Sequence, residues 1–119
     1  MRLIGVGVDL ISLDRARRFL KTHGQKKTKQ LLTPSEKSRF KKSFNGFSFA
    51  KIFSAKEAFF KALAFPWMGL EGFRNIDIEL RPGRRFHAKT ENGGGRYEAD
   101  GHFFISGRLV GAQVTVWAA

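Results

Sequence analysis

The arrangement of apolar and polar positions differs between the two halves of the chain. The first half opens with a short apolar run, Leu3–Ser12, whose imperfect alternation predicts a buried strand. A basic helix is predicted over Asp14–Thr22, with Asp14 as its N-cap or as an acidic residue of its first turn. The lysine-rich segment His23–Lys29 is predicted to interrupt the helical region.

Two more helices are predicted in the first half. Thr33, Pro34 and Glu36 have the spacing of a capping box with proline in the first helical position, so a helix is predicted from Thr33 to about Ser43. The segment Phe47–Leu63 combines phenylalanine and alanine with good helix formers and contains no Gly or Pro. It therefore predicts a long, largely buried helix.

The second half alternates in the way that half-buried strands do. Strands are predicted at four places: Asn75–Leu80, Arg84–Thr90, His102–Ser106 and Val110–Trp117. The N-terminal strand must join the same sheet, because a lone strand leaves its backbone groups without partners. The sequence predicts one α+β domain over residues 1–119, in which an antiparallel sheet packs against a long central helix.

The charge of the chain is large and unevenly distributed. Its 22 basic and 10 acidic residues give a formal net charge of +12, of which residues 1–61 carry +11. Such a surface attracts polyanions, which include nucleic acids, anionic membranes, phosphorylated cofactors and acidic proteins. The absence of cysteine excludes a disulfide framework, a thiolate metal site and a cysteine nucleophile, and it fits a cytoplasmic location. No apolar stretch reaches the length of a membrane span.

Candidate chemistry is concentrated in the long predicted helix and in the first strand. Glu57 and Lys61 lie four residues apart and share a helix face, while Lys56 lies about 100° around the helix from Glu57. An exposed Glu–Lys pair that only supports the helix is the commoner case, and the apolar neighbours count in favour of the alternative, a site for a divalent metal and phosphate. Asp9 is either a cap at the strand end or a buried functional acid. With Glu57, it would supply the oxygen ligands that Mg²⁺ prefers.

Several motifs resemble those of one enzyme family. Gly5–Ile11 resembles the G-x-G-x-D strand that opens holo-acyl carrier protein synthases, and Phe53–Lys61 matches the F/W-x-x-K-E-A-x-x-K signature of 4′-phosphopantetheinyl transferases. Leu32–Glu36 resembles the L-T-x-x-E helix start between them, and Asn75–Glu79 and Gly111–Val114 resemble later strands of the family. The resemblance covers most of the chain and points to the short bacterial type, which usually assembles as a trimer with active sites between subunits.

This resemblance implies a reaction and a set of site residues. Coenzyme A would donate 4′-phosphopantetheine to a serine hydroxyl of an acyl carrier protein and release 3′,5′-ADP. Asp9 and Glu57 would hold Mg²⁺, while Lys56 and Lys61 would contact the diphosphate or orient a carboxylate. Glu57 and Lys61 would thereby act in catalysis, because metal and ammonium neutralise developing charge. The general base stays open between Glu57, through a metal-bound water, and Glu36.

The resemblance also implies partners. The family docks acidic carrier proteins on a basic first helix, and here that helix carries Arg15 and Arg18, with Arg17 and Lys21 nearby. A solvated basic face that aids solubility is the alternative for each of these residues. A short chain leaves much apolar surface exposed. Because the family it resembles is usually trimeric, a homotrimer held by strand faces of the second half is expected.

Two positions depart from the family pattern, and two other functions stay open. Ser106 stands about where the family has a strand histidine near the nucleotide phosphate, and His102 is not an obvious replacement. Phe65–Met68 replaces a small, Gly-rich stretch. The alternatives are a degenerate transferase that binds coenzyme A but transfers poorly, and a basic nucleic-acid-binding module. The phenylalanines follow helical core spacing and no nucleic-acid motif is present, so the transferase is favoured and no nucleic acid partner is expected.

Overall fold

Five antiparallel strands and three α-helices make up the computed structural model, which describes residues 2–41, 44–63, 72–92 and 95–119. The strands form one sheet in the order β1-β5-β4-β3-β2, with α3 packed across it, so the predicted α+β fold is confirmed. No described helix is both long and apolar enough to cross a membrane. The elements are, in chain order, β1 (Arg2–Ser12), α1 (Leu13–Thr28), a 3-10 turn (Lys29–Leu31), α2 (Pro34–Arg39), α3 (Gly46–Leu63), β2 (Asp77–Arg81), β3 (Arg85–Asn92), β4 (Gly95–Ser106) and β5 (Leu109–Ala118).

The N-terminal strand joins the sheet of the second half, as predicted. β1 pairs with β5 along its length, from Arg2 opposite Ala118 to Ser12 opposite Leu109. It is an edge strand, so β5 is its one neighbour in the sheet. The helix-facing side of β5 is fully buried and consists of Val110, Ala112, Val114 and Val116. The position of β1 therefore depends on β5 beside it and on α3 above it.

The helix α3 is the centre of the core. Phe49 and Phe59 on this helix are 1% and 0% exposed. Rings from other segments pack against it: Phe19 stacks on Phe49 with 4.9 Å between centroids, and Phe73 meets Phe53 edge-on at 5.5 Å. These contacts explain why a chain with 13 phenylalanines does not present them as a stacking surface.

The region after the first helix differs from the prediction. α1 continues to Thr28 instead of ending near Thr22, and its backbone bends at Gly24, whose φ of 76° and ψ of 167° are not helical. The hydroxyl of Thr28 donates to the carbonyl of Gly24, and the side-chain amide of Gln25 donates to the carbonyl of Phe44. These hydrogen bonds support a second helical stretch where a loop was expected.

The short helix α2 begins as predicted and ends earlier. The hydroxyl of Thr33 accepts a hydrogen bond from the backbone N–H of Glu36, and the carboxylate of Glu36 accepts one from the N–H of Thr33, which completes the capping box. The helix ends before Phe40 and not near Ser43. Phe40 has left helical geometry, and its ring packs against Phe44 with 5.2 Å between centroids.

The sheet face that points away from α3 is apolar along one edge. Val6, Val8 and Leu10 of β1 are 60%, 49% and 55% exposed, and Phe104 and Leu109 add 39% and 46%. The sequence predicted an apolar contact surface on strands of the second half. The structure places much of this surface on β1 instead, because the opposite face of that strand is used by α3. We call these five residues the apolar edge.

Candidate active site

Two glycines set the distance between β1 and α3. A Cβ atom on Gly7 would lie 1.9 Å from the carbonyl oxygen of Ala58, and one on Gly5 would lie 2.5 Å from that of Ala62. Both distances are well inside van der Waals contact, so no side chain fits at either position. The strand therefore lies directly on the helix backbone, and Asp9, the next residue on the same face, is brought beside α3.

Asp9 and Lys61 form an ion pair at this contact. The ammonium of Lys61 donates to Oδ1 of Asp9 at 2.7 Å. The side chain of Asp9 is 12% exposed and that of Lys61 is 54% exposed, so the pair lies between the core and the solvent. The hydrogen bond to Asp9 raises the pKa of Lys61, which keeps this side chain an ammonium at neutral pH.

Glu57 joins this pair to make a group of three charged side chains. Burial raises the pKa of Glu57, the negative charge of Asp9 raises it further, and Lys61 acts in the opposite direction. Asp9 therefore acts electrostatically on Glu57, while their separation and their sharing of one metal ion stay predictions. Two carboxylates and one ammonium leave an excess of negative charge. Within the described ranges, no set of three Asp, Glu, His or Cys side chains forms a potential metal site.

Lys56 is not part of this group. It is fully buried, and its Nζ donates to Oε1 of Glu36 at 2.6 Å, to the carbonyl of Leu31 at 2.7 Å and to that of Phe73 at 2.9 Å. An ammonium has three donors, so each already has a protein partner. The predicted contact between Lys56 and a diphosphate is not compatible with this burial, and Lys56 instead joins three segments of the fold.

Glu36 is equally enclosed. Besides the bond from Lys56, its carboxylate accepts hydrogen bonds from the backbone N–H groups of Thr33 at 2.9 Å and Ile78 at 2.6 Å. Burial raises the pKa of Glu36 and lowers the pKa of Lys56, and the charge of each partner opposes these shifts. A fully buried carboxylate with these partners cannot reach an incoming hydroxyl, so the option of Glu36 as general base is wrong.

Arg15 and Arg18 are exposed on α1, which starts directly after β1. They lie three residues apart and therefore share a helix face. Asp14, in the first turn, pairs with Arg108 in the turn between β4 and β5, which ties the start of the helix to the sheet. This basic face follows the strand end that carries Asp9. The docking role of the two arginines stays a prediction.

A separate groove of about 470 Å³ lies at β2, β3 and β4. Its lining includes Asp77, Lys89 and Glu98 and contains none of the predicted site residues. Acidic and basic side chains alternate in it, so its charge does not select a ligand of either sign. The candidate chemistry therefore lies at the contact between β1 and α3 and not in this groove.

A sequence model of the 4′-phosphopantetheinyl transferase superfamily matches residues 5–113. This range contains the glycines of β1, the group of Asp9, Glu57 and Lys61, and most of the sheet. The chain belongs to the 4′-phosphopantetheinyl transferase superfamily. The family prediction made from the motifs of the first strand and the long helix is thereby confirmed.

Known members of the superfamily match this chain in sequence and in fold. The holo-[acyl-carrier-protein] synthase of Neisseria meningitidis serogroup A is 40% identical over 77 residues, which cover 64% of this chain and 62% of that protein. The synthase of Solibacter usitatus is 37% identical over 79 residues, with coverages of 66% and 62%. The chain thus spans 62% of the length of these relatives.

Solved structures of the superfamily extend the match over the whole fold. The crystal structure of the Neisseria meningitidis synthase has a TM-score of 0.74 at 29% identity, and the match covers 97% of this chain and 98% of that one. The Helicobacter pylori synthase, solved in complex with coenzyme A, has a TM-score of 0.75 at 23% identity, with coverages of 94% and 99%. At this low identity, the likeness to the Helicobacter pylori protein shows a shared fold and no more.

Two positions were expected to depart from the superfamily pattern. Ser106 is exposed at the end of β4, opposite Leu109. His102 is exposed on the sheet face that points away from α3, opposite Gln113. The segment Phe65–Met68 lies outside the described residues.

Proposed function

We propose that this chain is a holo-acyl carrier protein synthase. It transfers 4′-phosphopantetheine from coenzyme A to a serine hydroxyl of an apo-acyl carrier protein and releases 3′,5′-ADP. The observation that carries the proposal is the group of Asp9, Glu57 and Lys61, which the close contact of β1 and α3 assembles. The superfamily supports the transferred group, and the related synthases support the acceptor.

The residues present fit Mg²⁺. Asp9 and Glu57 supply hard carboxylate oxygens, and a cation between them would offset the burial and the negative charge of Asp9 that together raise the pKa of Glu57. Mg²⁺ prefers octahedral coordination and usually keeps several water ligands. With two ligands from the protein, the other coordination positions would be open to water and to phosphate oxygens. When bound, Mg²⁺ would polarise the diphosphate and neutralise its charge.

Lys61 orients one carboxylate and adds positive charge beside the metal site. Its hydrogen bond of 2.7 Å fixes the side chain of Asp9, and its half-exposed ammonium is accessible to a diphosphate from solvent. In the transfer, the serine oxygen bonds to the phosphorus that carries pantetheine, and the bond from that phosphorus to the oxygen of 3′,5′-ADP breaks. A fixed ammonium stabilises the charge that develops on the leaving oxygen.

Glu57 is the remaining candidate for accepting the serine proton, directly or through a water molecule. In the metal-free protein, burial and the charge of Asp9 raise the pKa of Glu57, so its carboxylate holds a proton more tightly than an exposed glutamate does. Glu36, the other carboxylate considered from the sequence, is sealed inside the fold.

We also propose a homotrimer that buries the apolar edge. A contiguous exposed apolar surface on a small domain is typical of a contact between proteins. Val8 lies in its middle at 49% exposure, so Val8→Lys should lower the mass measured by light scattering from three chains to one. Lys37→Glu, on exposed α2, should leave the mass unchanged. A monomeric wild-type protein at micromolar concentration would contradict the trimer.

The transfer is tested by mass spectrometry of an apo-acyl carrier protein incubated with the enzyme, coenzyme A and Mg²⁺. We expect the carrier to gain one phosphopantetheine group. Asp9→Asn and Glu57→Gln should lower the rate by about 100-fold or more, since each removes charge stabilisation at the reacting group. Glu79→Gln, a matched change of an exposed carboxylate on β2, should retain the rate.

The two alternative functions, a degenerate transferase and a nucleic-acid-binding module, predict different results for the same purified protein. A degenerate transferase would bind coenzyme A in calorimetry and leave the carrier unmodified. A nucleic-acid-binding module would bind random DNA with a steep salt dependence and show no activity that depends on coenzyme A. The burial of Phe49, Phe59 and Phe73 in the core weighs against the last alternative, because these rings cannot stack on bases.

A further inference from the structure

Two lysines of α3 pair with carboxylates, and the two pairs differ in how firmly the ammonium is held. Lys56 and its partner Glu36 are fully buried, and each of the three donors of Lys56 has a protein acceptor. Lys61 donates to Oδ1 of Asp9 at 2.7 Å and, at 3.5 Å, to the carbonyl of Val8, and its side chain is 54% exposed. The ammonium of Lys61 can therefore leave its partner for water, whereas that of Lys56 cannot.

The ammonium of Lys61 acts on both carboxylates of the candidate site. The hydrogen bond to Asp9 raises the pKa of Lys61, and the negative charges of Asp9 and Glu57 act in the same direction. In turn, Lys61 opposes the rise in the pKa of Glu57 that burial and Asp9 cause. Glu57 and Lys61 lie four residues apart and share a helix face. Lys61 thus already offsets the negative charge that a bound cation would offset.

The backbone of β1 holds Asp9 in place without help from Lys61. Gly5 and Gly7 let the strand lie on the backbone of α3, and β1 pairs with β5 on both sides of Asp9. The side chain of Asp9 is 12% exposed, so few orientations are open to it. A hydrogen bond that selects one of them gains little. The repulsion between an ammonium and a divalent cation at the same carboxylate is the larger effect, because Coulomb energy grows with the product of the charges.

The net charge of the group determines what it binds. With both carboxylates ionised, Asp9, Glu57 and Lys61 together carry a single negative charge, so a divalent cation would leave the group with an excess of positive charge. Without Lys61, the same cation would be neutralised by the two carboxylates. An anionic diphosphate would remove the excess that Lys61 creates. Metal binding is therefore less favourable in the free protein than in a complex with such an anion.

We propose that Lys61 competes with the metal for Asp9, so that the site takes up a divalent cation together with an anionic diphosphate and only weakly without it. This inference rests on the proposed function, because that function supplies both the metal and the diphosphate. In the free protein, the ammonium of Lys61 compensates the carboxylates and lowers their affinity for a divalent cation. The negative charge of a bound diphosphate offsets Lys61 and restores that affinity.

The test measures the binding of Mn²⁺ alone, since Mn²⁺ takes the same hard oxygen ligands as Mg²⁺ and its free ion is counted by electron paramagnetic resonance. The wild-type protein is compared with two neutral variants, Lys61→Met and Lys61→Gln. Both new residues are good helix formers at a half-exposed position, and circular dichroism checks that the variants fold. Lys61→Arg retains the charge. Lys89→Met removes an exposed charge from β3, three strands away from β1, and controls for net charge.

We expect both neutral variants to bind Mn²⁺ about 10-fold more tightly than the wild-type protein, which corresponds to about 1.4 kcal/mol. Lys61→Arg and Lys89→Met should keep the wild-type affinity. Unchanged or weaker binding by both neutral variants would overturn the competition. An equal gain in Lys89→Met would overturn it too, because the gain would then be an effect of net charge.

A second measurement tests the dependence on the diphosphate. Coenzyme A should tighten the binding of Mn²⁺ by a factor about threefold or more larger in the wild-type protein than in either neutral variant, because the variants lack the charge that the diphosphate offsets. Equal factors in all three proteins would overturn this part of the inference.

The outcomes separate this inference from the proposed function. If the wild-type protein modifies the carrier protein while the neutral variants bind Mn²⁺ no more tightly, the competition is refuted and the transferase stands. If the neutral variants gain affinity for Mn²⁺ but no carrier is modified, the competition at Asp9 is supported and the proposed transfer fails. If none of these proteins binds Mn²⁺ and the carrier stays unmodified, both fail.

Discussion

Glu36 and Lys56 place two opposite charges where no water reaches them. Together they also satisfy the carbonyls of Leu31 and Phe73 and the N–H of Ile78, so one ion pair serves several segments. Consecutive helical residues point about 100° apart. Because Lys56 is anchored toward these segments, the rotation of α3 is fixed, and the following residue, Glu57, is directed to its place beside Asp9.

We expect Glu36→Ala to lower the free energy of unfolding by about 3–5 kcal/mol, because it leaves the charge of Lys56 buried without a partner. Urea denaturation at neutral pH measures this loss. Glu91→Ala is the control, since it breaks the exposed pair of Glu91 and Arg96 and should cost less than about 1 kcal/mol. Equal losses for the two variants would contradict the role given to the buried pair.

The raised pKa of Glu57 makes stability depend on pH in a defined direction. A group whose pKa is higher in the folded than in the unfolded protein stabilises the fold below its ordinary pKa, and this contribution is lost as the pH rises through the folded value. In EDTA, Glu57→Gln should therefore be more stable than the wild-type protein at about pH 7 and equal to it below about pH 4. The gain should stay under about 1 kcal/mol, because solvent screens a partly exposed charge.

Mg²⁺ should stabilise the wild-type protein more than Glu57→Gln, which would offset the advantage that the variant has in EDTA. It binds the carboxylates of the wild-type protein and has one ligand fewer in Glu57→Gln, so the thermal midpoint of the wild-type protein should rise more. Thermal denaturation of both proteins, in EDTA and in Mg²⁺, tests the order of stability without the metal and the larger response of the wild-type protein to it. A wild-type protein that is already the more stable of the two in EDTA at neutral pH would show that burial and Asp9 do not disfavour the charge of Glu57.

At the scale of elements, the local sequence signals for the start of α2 predicted the structure correctly, whereas the predicted end of α1 was wrong. Thr33 and Glu36 lie three residues apart, so their capping box depends on nothing distant. The segment after His23 was interpreted as a loop because of its glycine and lysines. Lysine is a good helix former, and Gly24 interrupts the helix at one residue only. The hydrogen bond from Gln25 to a carbonyl 19 residues away is not visible in sequence.

In the candidate site, too, contacts between residues that are distant in the sequence could not be predicted from local patterns. Asp9 and Lys61 are 52 residues apart. The family resemblance assigned both residues to one site, but it did not predict the ion pair between them. The burial of Lys56 could not be predicted, because two of its partners are backbone carbonyls and its carboxylate lies 20 residues away. Periodicity shows which face of a helix is apolar. It does not show which charged residue of that face finds enough partners to be enclosed.

The contact of β1 with α3 gives a prediction for Gly7. Gly7→Ala puts a methyl group 1.9 Å from the carbonyl oxygen of Ala58, so strand and helix must separate. We expect a loss of about 1–3 kcal/mol in urea denaturation, as in other overpacked cores, and a loss of transferase activity as Asp9 moves from Glu57. Arg2→Ala, at an exposed position of the same strand outside the apolar edge, should retain activity. Full activity of Gly7→Ala would show that the close approach is not required.

At the scale of the whole molecule, the excess positive charge lies in the half that contains the exposed arginines of α1. We expect Arg15→Glu to raise the apparent KM for an acidic carrier protein by roughly 3- to 10-fold, because charges at the rim of an interface act mainly on association. Coenzyme A binding should be nearly unchanged, and added salt should mimic the substitution. The measurement is turnover against carrier concentration, with Lys37→Glu on α2 as the matched change. An unchanged KM would remove Arg15 from the docking surface.

The pairing of β1 with β5 has a consequence for the order of events during synthesis. The strand that carries Asp9 ends at Ser12 and its neighbour in the sheet starts at Leu109, so the ribosome must add the whole segment between them before the two strands can pair. At about 5–20 residues per second, roughly 5–20 s pass before β1 can pair. During this interval both faces of an apolar strand are open to chaperones or to other nascent chains. The carboxylate pair at the candidate site is therefore among the last features of the molecule to form.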